Sequence, residues 1–120
     1  YKTNTPKRDK TKMAAGISAN MVHSMDAAHL MKVVNRAAQE DITSFALIHD
    51  SYGVHPSEVD HLHTILREEF IELYRGDWLA EFEQQLTEQL PAEVVAKFPE
   101  RPRLGTLDIE SVKDSRYFFA

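Results

Sequence analysis

Cysteine is absent from this chain, which excludes disulfide frameworks, thiolate zinc sites and cysteine nucleophiles together. There is no run of about eighteen apolar residues and nothing resembling a signal peptide, so the expectation is a soluble, cytoplasmic protein that needs no membrane. Internal repeats and low-complexity tracts are missing too. The chain also lacks an initiator methionine: it starts at Tyr1, and the charged stretch that follows reads as the interior of a longer protein.

What is present amounts to about one domain, with 120 residues able to enclose a single modest core. The net charge of −5 conceals an uneven distribution. Lys2, Lys7, Arg8, Lys10 and Lys12 stand against Asp9 near the start, whereas acids outnumber Arg67, Arg75 and Lys97 over residues 58–100. Such a basic arm can follow a phosphate backbone, or it can be a solvated loop.

Residues 1–17 hold Pro6 and Gly16 and read as a basic loop. Helix formers dominate 18–40. At 100° per residue, His23, Ala27, Leu30 and Val34 form one stripe, flanked by Asn20, Asp26 and His29. Met21, Val22 and Met25 add apolar surface on the other side, so a mostly buried helix is expected, with His23 as a core histidine. Residues 43–55 read as a β-hairpin: a strand through Phe45 to His49, a turn at Asp50 and Ser51, a return from Tyr52 to His55, and Gly53 for backbone freedom.

Residues 57–98 are helical by the same reasoning. Pro56, the cap candidate Ser57 and Glu58 open the first helix, and Val59, Leu62, Leu66, Phe70 and Leu73 give it an apolar face. Gly76 ends it, Asp77 caps the next, and Pro91 stops that one. Residues 99–120 form an irregular tail ending Tyr117-Phe118-Phe119-Ala120. The expected class is a mostly helical α+β chain with one antiparallel hairpin.

The stretch FALIHDSYGV, residues 45–54, sets a charged carboxylate at the tip of an apolar hairpin. Asp50 there is either an ordinary turn aspartate or a rigidly held oxygen ligand of the kind Mg²⁺ requires, though a two-metal site needs at least one more acid. His61 and His63 are about 200° apart around a helix and cannot share one ion, which argues against zinc with His55 as a third ligand. Ser51 beside His49 and Asp50, or Ser24 near His23, suggests a hydrolase only on paper, because triads are made in space rather than by adjacency.

IHDSYG, residues 48–53, resembles the His-Asp palm hairpin of the single-subunit RNA polymerases of bacteriophages and mitochondria. ANMVHSMDAAHL, residues 19–30, resembles the same family's helix with Asn-x-x-His-Ser-x-Asp-x-x-His, and the terminal Phe119-Ala120 is similar to its phenylalanine-alanine foot. The resemblance implies the C-terminal, palm-proximal part of a DNA-directed RNA polymerase. Asp50 would be one of two catalytic aspartates holding Mg²⁺, with His49 positioning it or the primer terminus. His23 would lie near the minor groove of the template–product duplex, and Phe119 and Ala120 near the catalytic pocket, with Lys7, Arg8, Lys10 and Lys12 close to nucleic acid. Asp26 and His29 match the pattern without a defined role beyond structural hydrogen bonding.

The implied partners are a DNA template, the RNA product, ribonucleoside triphosphates and the upstream remainder of the same polymerase, in host cytoplasm rather than mitochondria. The family's second metal aspartate, its nucleotide-binding lysine and its ribose-selecting tyrosine have no counterpart in this chain, so the isolated piece is expected to be inactive and is a candidate for dimerisation. A non-catalytic nucleic-acid-binding module and a family A DNA polymerase fragment are the alternatives.

Overall fold

The computed structural model describes residues 8–118. Lys2, Lys7, Phe119 and Ala120 lie outside the described residues. Two compact units divide the chain, Tyr1–Leu62 and His63–Ala120, and the boundary falls inside a helix.

In the first unit, α1 runs from Lys10 to Gln39 and begins eight residues before Ser18. Its start is set by Asp9, whose carboxylate accepts from the Lys12 amide at 3.1 Å and satisfies one of the orphan donors of the first turn. Gly16 does not break it, and nothing lies within 4 Å of where its Cβ would be. At the other end Asp41 adopts a left-handed φ of 68°. The Ile42 amide then reaches back to the Ala37 carbonyl at 2.9 Å, a Schellman closure in which Ala37 and Ile42 are both buried.

The face that α1 buries differs from the expected one. His29, Val33 and Ala37 are its buried residues, while His23 and Ala27 are exposed and Leu30 and Val34 only half-buried. His29 lies about 120° around the helix from His23, so the core histidine of this helix is His29. Nor is α1 mostly buried: Met13, Ile17, Val22 and Met31 are each exposed. With apolar residues available on several sides, periodicity alone does not say which side gains cover.

The hairpin is shorter and more open than its composition suggests. β1, Ala46–Ile48, pairs antiparallel with β2, Ser51–Gly53, in the register Ala46↔Gly53, Leu47↔Tyr52, Ile48↔Ser51. A two-stranded ribbon has no third strand to extend or cover it, and Ile48 remains 69% exposed. The register puts His49 and Asp50 at the turn, and Ser51 in the strand. Gly53 does not supply left-handed freedom, since no described glycine has a positive φ. Its Cβ would stand 3.2 Å from Ala46 Cβ and 3.3 Å from the Ala46 carbonyl oxygen, so the glycine permits close approach of the strands.

A 3-10 turn, Pro56–Glu58, leads into α2, Val59–Tyr74. His55, not Ser57, is its cap, through Nδ1 accepting from the Ser57 amide. The second unit takes the rest of α2, in which Ile65, Leu66, Ile71 and Leu73 are buried. It continues with α3, Trp78–Gln89, and α4, Ala92–Val95. Asp77 caps α3 by accepting from the Ala80 amide at 3.0 Å, and the Trp78 indole donates to the Leu73 carbonyl, fastening the turn between α2 and α3. Residues 99–108 are irregular, and a 3-10 segment, Ile109–Asp114, follows.

Candidate functional site

Asp50 occupies the second position of the two-residue turn joining β1 to β2. His49, the first position, has φ 55°, and a positive φ at that position alone is the pattern of a type II′ turn, which matches the twist of paired strands. Glycine is the easy residue there; a histidine carries strain of about 1 kcal/mol or more. Asp50 itself is exposed and, among the described residues, makes no hydrogen bond or ion pair. A carboxylate so placed keeps its oxygens available, and the paired strands limit where it can go.

Tyr52 draws α1 into the same neighbourhood. Partial burial, followed by the negative charges of Asp50 and Asp26, holds its hydroxyl above the ordinary 10.0. The hairpin carboxylate and one carboxylate of the 19–30 pattern thus act on a single tyrosine. Sequence reasoning assigned Tyr52 no role; the available signal was its i, i+2 relation to Asp50, which keeps both at one end of a short hairpin. His23, three residues before Asp26, is an exposed neighbour on α1.

Arg8, Lys10 and Lys12 are exposed at the start of α1, where the helix dipole disfavours cations. Among the described residues, Lys12 alone of the three has an acid within ion-pair distance, Asp9 at 3.8 Å. Helix stability therefore gives no reason for this basic group. Part of the expected loop is helical, so these cations are carried on a regular surface.

The other candidates lose ground. His61 pairs with Glu40 at 2.5 Å, His55 caps the 3-10 turn, and His63 accepts from Arg67. Among the described residues no three histidine or acidic side chains converge on a metal position. No hydrogen bond joins Ser51 to His49 or Asp50 among them either, so the hydrolase geometry is not made. Glu40, absent from the expectations, has its carboxyl held below the ordinary 4.5 by hydrogen bonds from Arg36 and then His61.

Comparison with known proteins identifies the family. A family model described as DNA-dependent RNA polymerase matches residues 1–97. T7 RNA polymerase of Escherichia phage T7 is 39% identical over 114 residues, covering 93% of this chain and 13% of that polymerase. DNA-directed RNA polymerase 1A of Nicotiana tabacum is 40% identical over 100 residues, 83% of this chain and 62% of that protein. The mitochondrial DNA-directed RNA polymerase of Schizosaccharomyces pombe is 29% identical across 94% of this chain and 12% of its own length. The chain spans about an eighth of the phage T7 enzyme.

Proposed function

The chain belongs to the phage-type DNA-dependent RNA polymerase family, and we propose that it is the C-terminal, palm-proximal part of such an enzyme, contributing Asp50 to template-directed joining of ribonucleotides. The observation that carries this is the Asp50 carboxylate, exposed at a two-residue turn with no hydrogen bond or ion pair among the described residues. Its state fits an Mg²⁺ ligand, because that ion takes hard oxygen donors and retains several waters. The fit is for one ligand, since the described residues hold no group of three candidate ligands; the family resemblance implies that the remaining donors come from upstream residues of the same polypeptide. Bound Mg²⁺ supplies activation of the attacking oxygen and neutralises charge at the phosphates.

The chain's own side chains position the reactants. His49 fixes the turn that presents Asp50. His23 offers a ring nitrogen to acceptors common to all base pairs in the minor groove. Lys7, Arg8, Lys10 and Lys12 run along phosphates of the DNA template or RNA product, so raised salt weakens the complex. Phe119 and Ala120, outside the described residues, keep the role that the resemblance to the family's terminal foot implies, near the primer terminus. Without the upstream residues the isolated chain incorporates no ribonucleotide, and the exposed apolar residues of α1 give it a surface on which to dimerise. Among the described residues no helix is long and apolar enough to cross a membrane; a phage enzyme of this kind works in host cytoplasm.

The test is ribonucleotide incorporation on a primed DNA template with Mg²⁺, by the full natural polypeptide carrying this chain, wild type beside Asp50→Asn. Synthesis that disappears in the variant, with DNA binding kept, upholds the proposal. Equal synthesis in both, or DNA binding without synthesis in either, makes the hairpin a scaffold of a binding module. Preference for deoxynucleotides points to a DNA polymerase.

A further inference from the structure

Arg67 lies in the buried part of α2, 6% exposed, and has no carboxylate partner among the described residues. Its Nη1 donates to the ring Nε2 and the main-chain oxygen of His63. Nη2 donates to the Ser115 carbonyl at 2.6 Å, a bond spanning 48 positions. Nε has no acceptor. The guanidinium centre stands 5.7 Å from the centre of the Phe118 ring, and that ring meets Phe70 edge-on at 4.7 Å.

For folding alone this is a poor choice of residue. A buried cation with neutral partners and one unmet N–H is outperformed by a well-packed apolar side chain. What Arg67 does that an apolar residue cannot is take hold of a main-chain carbonyl and an aromatic face at once. Both belong to the segment that follows the irregular stretch 99–108. An exposed ion pair, Arg75 to Glu110 at 2.6 Å, fastens its start. A cavity of about 420 Å³ opens between α2 and residues 113–116, lined by Arg67, Glu68, Lys113, Ser115 and Arg116 among others.

We propose that Arg67 is a positioning residue that straps residues 113–118 to α2, and that nucleotide addition depends on the strap. Its effect on catalysis rests on the polymerase reading; the strap itself does not. Arg67→Met keeps an apolar stem and removes every donor. Arg67→Lys keeps the charge and a single ammonium donor. Phe118→Leu approaches the same contact from the other side.

In the full natural polypeptide, Arg67→Met is expected to raise amide exchange over 111–118 by about tenfold while leaving exchange in 62–74 unchanged, because a local opening is made easier without loosening α2. It lowers kcat for ribonucleotide addition about tenfold with little change in KM, and Arg67→Lys recovers part of the loss. Phe118→Leu acts in the same direction, and the double variant adds little, as expected of two parts of one device. Unchanged exchange in both Arg67→Met and Phe118→Leu overturns the strap. Faster exchange with unchanged kcat overturns its catalytic role. Should the wild type make no RNA, the polymerase reading fails, and the exchange rates still decide whether the strap exists.

Discussion

The hairpin tip and the middle of α2 treat a charge in opposite ways. At the tip, the Asp50 carboxylate is exposed and has no partner among the described residues. In α2, the Arg67 guanidinium is buried and bonded to an imidazole and two carbonyls, with no anion beside it among the described residues. A solvated carboxylate costs the fold almost nothing and remains available to a ligand from outside. A buried guanidinium costs the fold several kcal/mol, so its use is found in what it holds inside. Exposure thus separates a group available to an external partner from one already engaged with internal ones.

The comparison breaks most visibly at Asp50. Asp50→Asn should reduce ribonucleotide incorporation by the full polypeptide at least about 100-fold, the scale of losing one charge-stabilising group from a transition state. Its thermal midpoint should move by no more than a degree or two, because no described contact is lost. A large drop in midpoint would show that Asp50 has an internal partner after all and would erase the contrast with Arg67.

Gly53→Ala sharpens the same contrast from the backbone side. The added Cβ meets Ala46 at 3.2 Å, so the strands must part by a few tenths of an ångström and the turn carrying Asp50 moves with them. Incorporation should fall several-fold to about tenfold, since a misplacement of that kind weakens alignment more than it weakens a two-stranded ribbon. Pairing it with Ala46→Gly, which removes the opposing Cβ, should restore part of the activity. No recovery would mean that strand spacing does not set the position of Asp50.

His49 bears on the turn itself. His49→Gly relieves the left-handed φ of 55° but raises the entropy of the unfolded chain, and the two effects are each about 1 kcal/mol and opposed. Stability should therefore change little, while incorporation falls a few-fold as the turn loosens and the ring is lost. An increase in activity would mean that the strain serves no purpose in presenting Asp50.

Legibility followed the same division between local and tertiary causes. The hairpin, the Asp77 cap, the helix ends near Gly76 and Pro91, and the family pattern are local, written in adjacent residues, and were readable. Asp9 as the cap of α1 is equally local, but the basic residues around it carry the composition of a loop. The buried row His29-Val33-Ala37 was not readable, since Met21, Val22 and Met25 offered competing apolar rows and only packing chooses among them. Arg67 was hidden for a stronger reason: its partners Ser115 and Phe118 are about fifty positions away, and a lone arginine on an apolar helix face has no signature in sequence. Asp26 acquired a neighbour, Tyr52, only through the approach of α1 and the hairpin.

Glu40 lies between the two extremes, and the effect expected of it is the smallest. It is half-exposed, accepts from Arg36 Nε at 2.9 Å and pairs with His61 at 2.5 Å, and these bonds hold its carboxyl below the ordinary 4.5. A carboxyl depressed in the folded state contributes stability above its unfolded pKa and loses it as pH falls through the folded value. The midpoint of the wild type should therefore exceed that of Glu40→Gln at pH 6, and the gap should close progressively below pH about 4.5 as the carboxyl takes up its proton. Salt should narrow the gap at pH 6, because both partners meet solvent. A gap that persisted unchanged at pH 3 would assign the stabilisation to the shape of the side chain rather than to its charge.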